Sequence, residues 1–92
     1  MAIRISDTRE GTNSTGQRIR QTLVTPSLFH SEDGPRVRII ELVDPWMMYP
    51  AGTFILTLLI GTGPDSAKGS RFSSSGDFLS SVEAAKELLA QL

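Results

Sequence analysis

Thr53-Phe54-Ile55-Leu56-Thr57-Leu58-Leu59-Ile60 is apolar at odd and even positions alike. In an extended chain Phe54, Leu56, Leu58 and Ile60 share one face and Ile55, Thr57 and Leu59 the other, so a strand here is covered on both sides. The run is short enough for a strand and too short for a buried helix, and Gly52 and Gly61 bound it. A central strand of this kind requires neighbours on both edges, and the rest of the chain supplies them.

Upstream, residues 36–43 place Val37, Ile39, Glu41 and Val43 on one face and Arg36, Arg38, Ile40 and Leu42 on the other. Residues 17–25 alternate around Ile19 and Leu23, with Arg18 and Arg20 on the opposite face, until Pro26 ends the run or sets it at a sheet edge. Ile3 and Ile5 alternate with Arg4 and Ser6 as a short first strand, and residues 11–16 form a loop by composition. Ser31-Glu32-Asp33-Gly34-Pro35 reads as a turn.

Downstream, residues 61–76 are rich in Gly and Ser and read as a mobile loop, with a short edge strand around residues 71–73. The chain closes on a helix. Ser80-Ser81-Val82-Glu83 has capping-box spacing with Leu79 as the staple, and Val82, Ala85, Leu88, Leu89 and Leu92 fall on one face. An isolated helix of about 12 residues is marginal, so its leucine stripe docks on the sheet. The expected fold is a single α+β domain over residues 1–92: an antiparallel or mixed sheet of about four strands with one C-terminal helix on one face, in β-β-β-β-α order.

Composition narrows the function. Nine basic against ten acidic residues leave a formal charge of −1, which predicts no long-range attraction to nucleic acid or to anionic membrane. With no cysteine and one histidine, a thiol nucleophile, a thiolate zinc site and a two-histidine metal site within one chain are excluded. The expectation is a chain without metal or cofactor. Residues 45–64 carry no charged side chain, but their prolines and glycines break a helix and the continuous apolar part is too short to span a bilayer. The opening residues show no apolar signal segment, and Asn13-Ser14-Thr15 then reads as loop chemistry rather than a glycosylation acceptor. Absence of cysteine is compatible with a reducing compartment, and the expected location is cytoplasmic.

Catalytic patterns are weak. His30 has no nucleophile elbow to serve, and as a loop residue it reads as solvated. Gly61-Thr62-Gly63-Pro64-Asp65-Ser66-Ala67-Lys68-Gly69-Ser70 differs from a phosphate loop: its lysine precedes the glycine, Pro64 removes a backbone donor, and no helix begins directly after it. The carboxylates are scattered among turns and strand ends.

Two patterns remain. Seven of the nine basic residues are arginine, and Arg4, Arg18, Arg20, Arg36 and Arg38 alternate with apolar residues in the first three strands. If the isoleucines of these strands face the helix, the guanidiniums gather on the opposite sheet face, where Arg18, Arg20, Arg36 and Arg38 suit phosphate or carboxylate. The plainer reading is a solvated face with cross-strand ion pairs.

The second pattern is Trp46-Met47-Met48-Tyr49 between Pro45 and Pro50, which holds the only tryptophan, the only tyrosine and two of three methionines in what reads as a connection. Burying a Trp ring removes about 200 Å² from water, on the order of 5 kcal/mol, so something must cover it. An inward-folded plug accounts for Trp46, yet four large adjacent side chains do not all point inward, which leaves at least two for a partner. The leading expectation is a small non-enzymatic protein-binding module that forms a homo-oligomer or docks on another protein through Trp46, Met47, Met48 and Tyr49. The second is a nucleic-acid or polyanion binder using the arginine face. The third is a small enzyme with His30 and the loop of residues 61–76 joined across an oligomer interface.

Overall fold

Residues 2–27, 34–73 and 77–92 are described by the structure, a computed structural model. Six strands and one helix follow in the order β1 (Ile3–Ile5), β2 (Arg9–Thr12), β3 (Arg18–Pro26), β4 (Arg36–Leu42), β5 (Phe54–Leu59), β6 (Ala67–Ser73) and α1 (Phe78–Ala90). All pairings are antiparallel, and the sheet runs β1-β3-β4-β5-β6 with β2 also on β3. β1 and β2 therefore lie end to end along one edge of β3, opposite residues 24–26 and 18–21 respectively. Ser6 joins them: its N–H donates to Leu23 O at 2.9 Å, and its hydroxyl accepts from Leu23 N–H at 2.9 Å.

The α+β class, the central strand and the C-terminal helix are as the residue pattern predicts, and the sheet holds two strands more. β2 reads Arg-Glu-Gly-Thr, and all four residues are exposed. A strand with neither face buried shows no alternation, so only its ladder to β3 marks it. β6 extends the expected short edge strand back to Ala67, through residues expected to be loop.

Parity along the ladder decides what the helix covers. Val24 stands opposite Val37, Thr22 opposite Ile39, and Ile39 opposite Leu56. Val24, Val37, Ile39, Phe54 and Leu56 form one core with Val82, Ala85 and Leu89 of α1. The buried hydroxyl of Thr22 pairs with that of Thr8 at 2.8 Å.

Two expectations are corrected. In β3 the partition into faces holds, but Thr22 and Val24 face the helix while Ile19 and Leu23 face away, because the register with β4 puts them on the side of Arg38 and Ile40. The helix also begins earlier than a Ser80 cap implies. Asp77 is the N-cap, its carboxylate accepting from Ser80 N–H at 2.7 Å, and Phe78 starts the helix and packs against the core. Leu79 is therefore no staple, being 73% exposed, and Leu92 lies past the helix end and off its buried stripe. The His30 loop and residues 31–33 of the expected turn lie outside the described residues.

Candidate docking surface

The sheet face away from α1 is built by parity. Ile40 and Ile55 sit opposite each other with Gln21 on one side and Phe72 on the other, forming one row across β3, β4, β5 and β6. The next row is Leu23, Arg38, Thr57 and Ser70. Among the described residues, no helix or strand packs across this face, since α1 meets β3, β4 and β5 from the other side. Ile19, Leu23, Ile40 and Ile55 are half-buried, and Phe72 is 46% exposed.

The segment between β4 and β5 folds onto one end of this face. Trp46 and Tyr49 exchange backbone hydrogen bonds in both directions at 2.9 Å, so Met47 and Met48 form the tip of a two-residue hairpin. Met47 takes φ 54°, alone among described non-glycine residues in having positive φ. Positive φ at the first central position fits a type II′ turn, where glycine is the usual occupant. Below the tip, the Trp46 and Tyr49 rings stack with centroids 6.3 Å apart, and Tyr49 stacks on Phe72 at 4.7 Å with 15° between planes. Met48, Tyr49, Pro50 and Phe72 line a shallow recess beside the tip.

The four sequence-predicted residues thus divide. Trp46 and Tyr49 are half-buried and hold the hairpin to the sheet, whereas Met47 and Met48 are 81% and 85% exposed. Trp46 is neither a full core plug nor free in solvent. Phe72, Ile40 and Ile55 belong to the same surface and were not singled out by sequence. For Ile40 and Ile55 the signal was present, since a strand apolar on both faces needs two covers; for Phe72 there was only its place in the expected edge strand.

The arginines do not gather. Arg18 and Arg20 project on the helix side of the sheet, at the end away from Val24, while Arg36 and Arg38 project on the other, as does Arg4 opposite Thr25. The cause is the parity of β3: the helix covers Thr22 and Val24, which share their face with Arg18 and Arg20. Arg18 forms a two-pronged pair with Asp44, Nη2 to Oδ1 at 2.9 Å and Nε to Oδ2 at 3.1 Å, and its backbone N–H also donates to Oδ2. These bonds hold the Asp44 carboxyl below the usual carboxylate range. Arg20 bridges Glu10 at 3.2 Å and Glu41 at 3.3 Å. Arg36 donates to the carbonyls of Gly34 and Gly61 at 2.9 and 3.1 Å. Arg38 differs: its Nε is buried without a hydrogen-bond partner.

Among the described residues no three His, Asp or Glu side chains converge as a metal site requires. No helix among them is long and apolar enough to cross a membrane. Asn13 of the acceptor-like triplet is engaged locally, its side-chain oxygen accepting from the backbone N–H groups of Thr15 and Gln17 at 3.1 and 2.9 Å. Comparison of the chain with protein-family models, curated proteins and solved structures found no match to any of them.

Proposed function

We propose that this chain is a small non-enzymatic protein-binding module, which self-associates or docks on another protein through the hairpin of Trp46, Met47, Met48 and Tyr49 and the adjoining outward sheet face. One observation carries the reading: two methionines stand almost fully exposed on a hairpin that stacked rings brace against the sheet. Methionine adapts to irregular surfaces, and stacked aromatic rings hold the tip in place without a large entropic cost on binding. An apolar surface on a small domain near neutral charge invites association.

The test is solution mass by light scattering over a dilution series, run with wild type and with a Met48→Ser/Phe72→Ser variant, alongside affinity capture with both proteins. An oligomer that dissociates in the variant supports self-association. A monomer whose captured protein is lost with the variant supports docking on another chain. A monomer whose captured proteins are the same with wild type and variant overturns the proposal.

A further inference from the structure

β6 ends the sheet beyond β5, and no described strand pairs with its far side. Which of its backbone groups face that side follows from the ladder. Leu42 N–H donates to Thr53 O at 2.9 Å, so Ile40 with Ile55 and Arg38 with Thr57 are the hydrogen-bonded pairs between β4 and β5. Alternation then turns the groups of Phe54 and Leu56 toward β6, where they meet Ser73 and Arg71. The N–H and C=O of Ser70 and of Phe72 therefore point away from the sheet.

Native sheets block such edges with bulges, prolines and charges, and the first part of β6 is blocked in this way. The register slips between Thr57 and Leu59, beside Lys68 and Gly69, and Gly69 takes φ 149°. From Ser70 to Ser73 the register is regular. Gly34, which joins the sheet after residues 28–33, lies at the other end: it shares the Arg36 guanidinium with Gly61, five residues along the chain from Leu56 (56 to 61) and about 16 Å from it in extended backbone. Leu56 stands opposite Arg71.

The two sides of this edge differ in chemistry. Phe72 lies on the outward side, where Met48, Tyr49 and Pro50 line the recess with it. Arg71 lies on the helix side, exposed, and forms no hydrogen bond or ion pair with a described residue; residues 74–76, Ser-Ser-Gly, bring no carboxylate. A second copy of β6, paired antiparallel about a two-fold axis with Ser70 of each copy opposite Phe72 of the other, sets Arg71 opposite Arg71, and like charges directly opposite destabilise a strand pair. A carboxylate in that place replaces the repulsion with a cross-strand ion pair.

We infer that β6 receives an extended segment of a partner protein as a further antiparallel strand, hydrogen-bonded to the N–H and C=O of Ser70 and Phe72, with an apolar residue opposite Phe72 and an aspartate or glutamate opposite Arg71. This rests on the protein-binding reading above and names the partner's conformation and chemistry. In strand addition of this kind main-chain bonds supply affinity, and side chains on alternate sides of the added strand supply specificity.

The probe is an acetylated and amidated peptide of about eight residues, within the usual length of a strand, in which valine alternates with glutamate. A second peptide has lysine in place of every glutamate. In the inferred register the valine N–H groups face β6, so a third peptide is the first with its valines N-methylated. Backbone amide shifts and hydrogen exchange of the labelled protein follow binding. The valine–glutamate peptide is expected to shift Ser70, Arg71 and Phe72 and to slow exchange of the Ser70 and Phe72 amides. The lysine and N-methylated peptides are expected to bind about tenfold or more weakly. Arg71→Glu reverses the preference between glutamate and lysine peptides, and Arg71→Gln removes it.

Equal binding of the glutamate and lysine peptides, or of the methylated and unmethylated ones, overturns the inference, as does the absence of shifts at millimolar peptide. Slowed exchange of the Phe72 amide on raising the protein's own concentration, without peptide, assigns the edge to a second copy and overturns it too. In each case the Met48→Ser/Phe72→Ser comparison above still decides the protein-binding reading separately.

Discussion

The Tyr49 ring lies 4.7 Å from that of Phe72 with 15° between planes, tying the connection before the central strand to the edge strand that follows it. The contact makes one surface of two segments that are far apart in the chain. It also gives the hairpin a fixed direction, which its two backbone hydrogen bonds alone do not provide.

Tyr49→Ala removes both ring contacts of the ladder. The expected loss is on the order of 2 kcal/mol, from the stacking and the apolar area together. Trp46 emission moves to longer wavelength as its half-buried ring gains water. Denaturant unfolding with the emission maximum of the native protein checks both, and an unchanged maximum would show that the ladder does not hold Trp46.

Met47 at φ 54° carries a side chain where the turn favours none. Met47→Gly is expected to stabilise the fold by about 1 kcal/mol after the cost of a freer unfolded chain, and Met47→Ile to destabilise it by a similar amount. Melting temperatures of the two variants decide the point, the prediction failing if their order is reversed.

The helix approaches the sheet over Ala85, which is fully buried with Val24, Val37 and Ile39 in the same cluster. Ala85→Leu inserts methylenes where there is no room, costing about 1 to 3 kcal/mol. Ile39→Ala leaves a cavity and costs about 3 kcal/mol. Both are read by urea unfolding with constant m-value, and a neutral Ala85→Leu would mean that the helix is free to lift from the sheet.

The Asp44 carboxyl is held below its usual range by the hydrogen bonds from Arg18. A group with a depressed folded pKa contributes stability that is present above its unfolded pKa and is lost as pH falls through the folded one. Stability of the wild type should therefore decline on acidification below about pH 4 more steeply than that of Asp44→Asn. Melting curves across the acid range test this. Parallel curves would show that the exposed pair is fully screened by solvent.

Periodicity was enough for β3, β4, β5 and the helix, because each buries at least one face and burial writes a pattern into the residues. It did not reveal β2, whose four residues are all exposed, nor the full length of β6. The helix start shows the same limit: Ser80 and Asp77 both carry a capping side chain, and packing of Phe78 on the core favours the longer helix. In the candidate surface, Trp46, Met47, Met48 and Tyr49 were legible from residue type alone, while Phe72 became part of it only through the stack on Tyr49.

The sequence by itself determined the composition of the two faces of β3, β4 and β5, the α+β class, and the lack of a thiol or paired-histidine site within the chain. Tertiary structure alone decided which face the helix covers. Alternation has a period of two and assigns residues to sides, but it does not say which side is inside, and in β3 both sides carry apolar groups. Register with β4 settles that choice, burying Val24 and leaving Ile40, Ile55 and Arg38 on the open face. The same register sends Arg18 and Arg20 to their carboxylates on one side of the sheet and leaves the Arg38 Nε without an acceptor on the other.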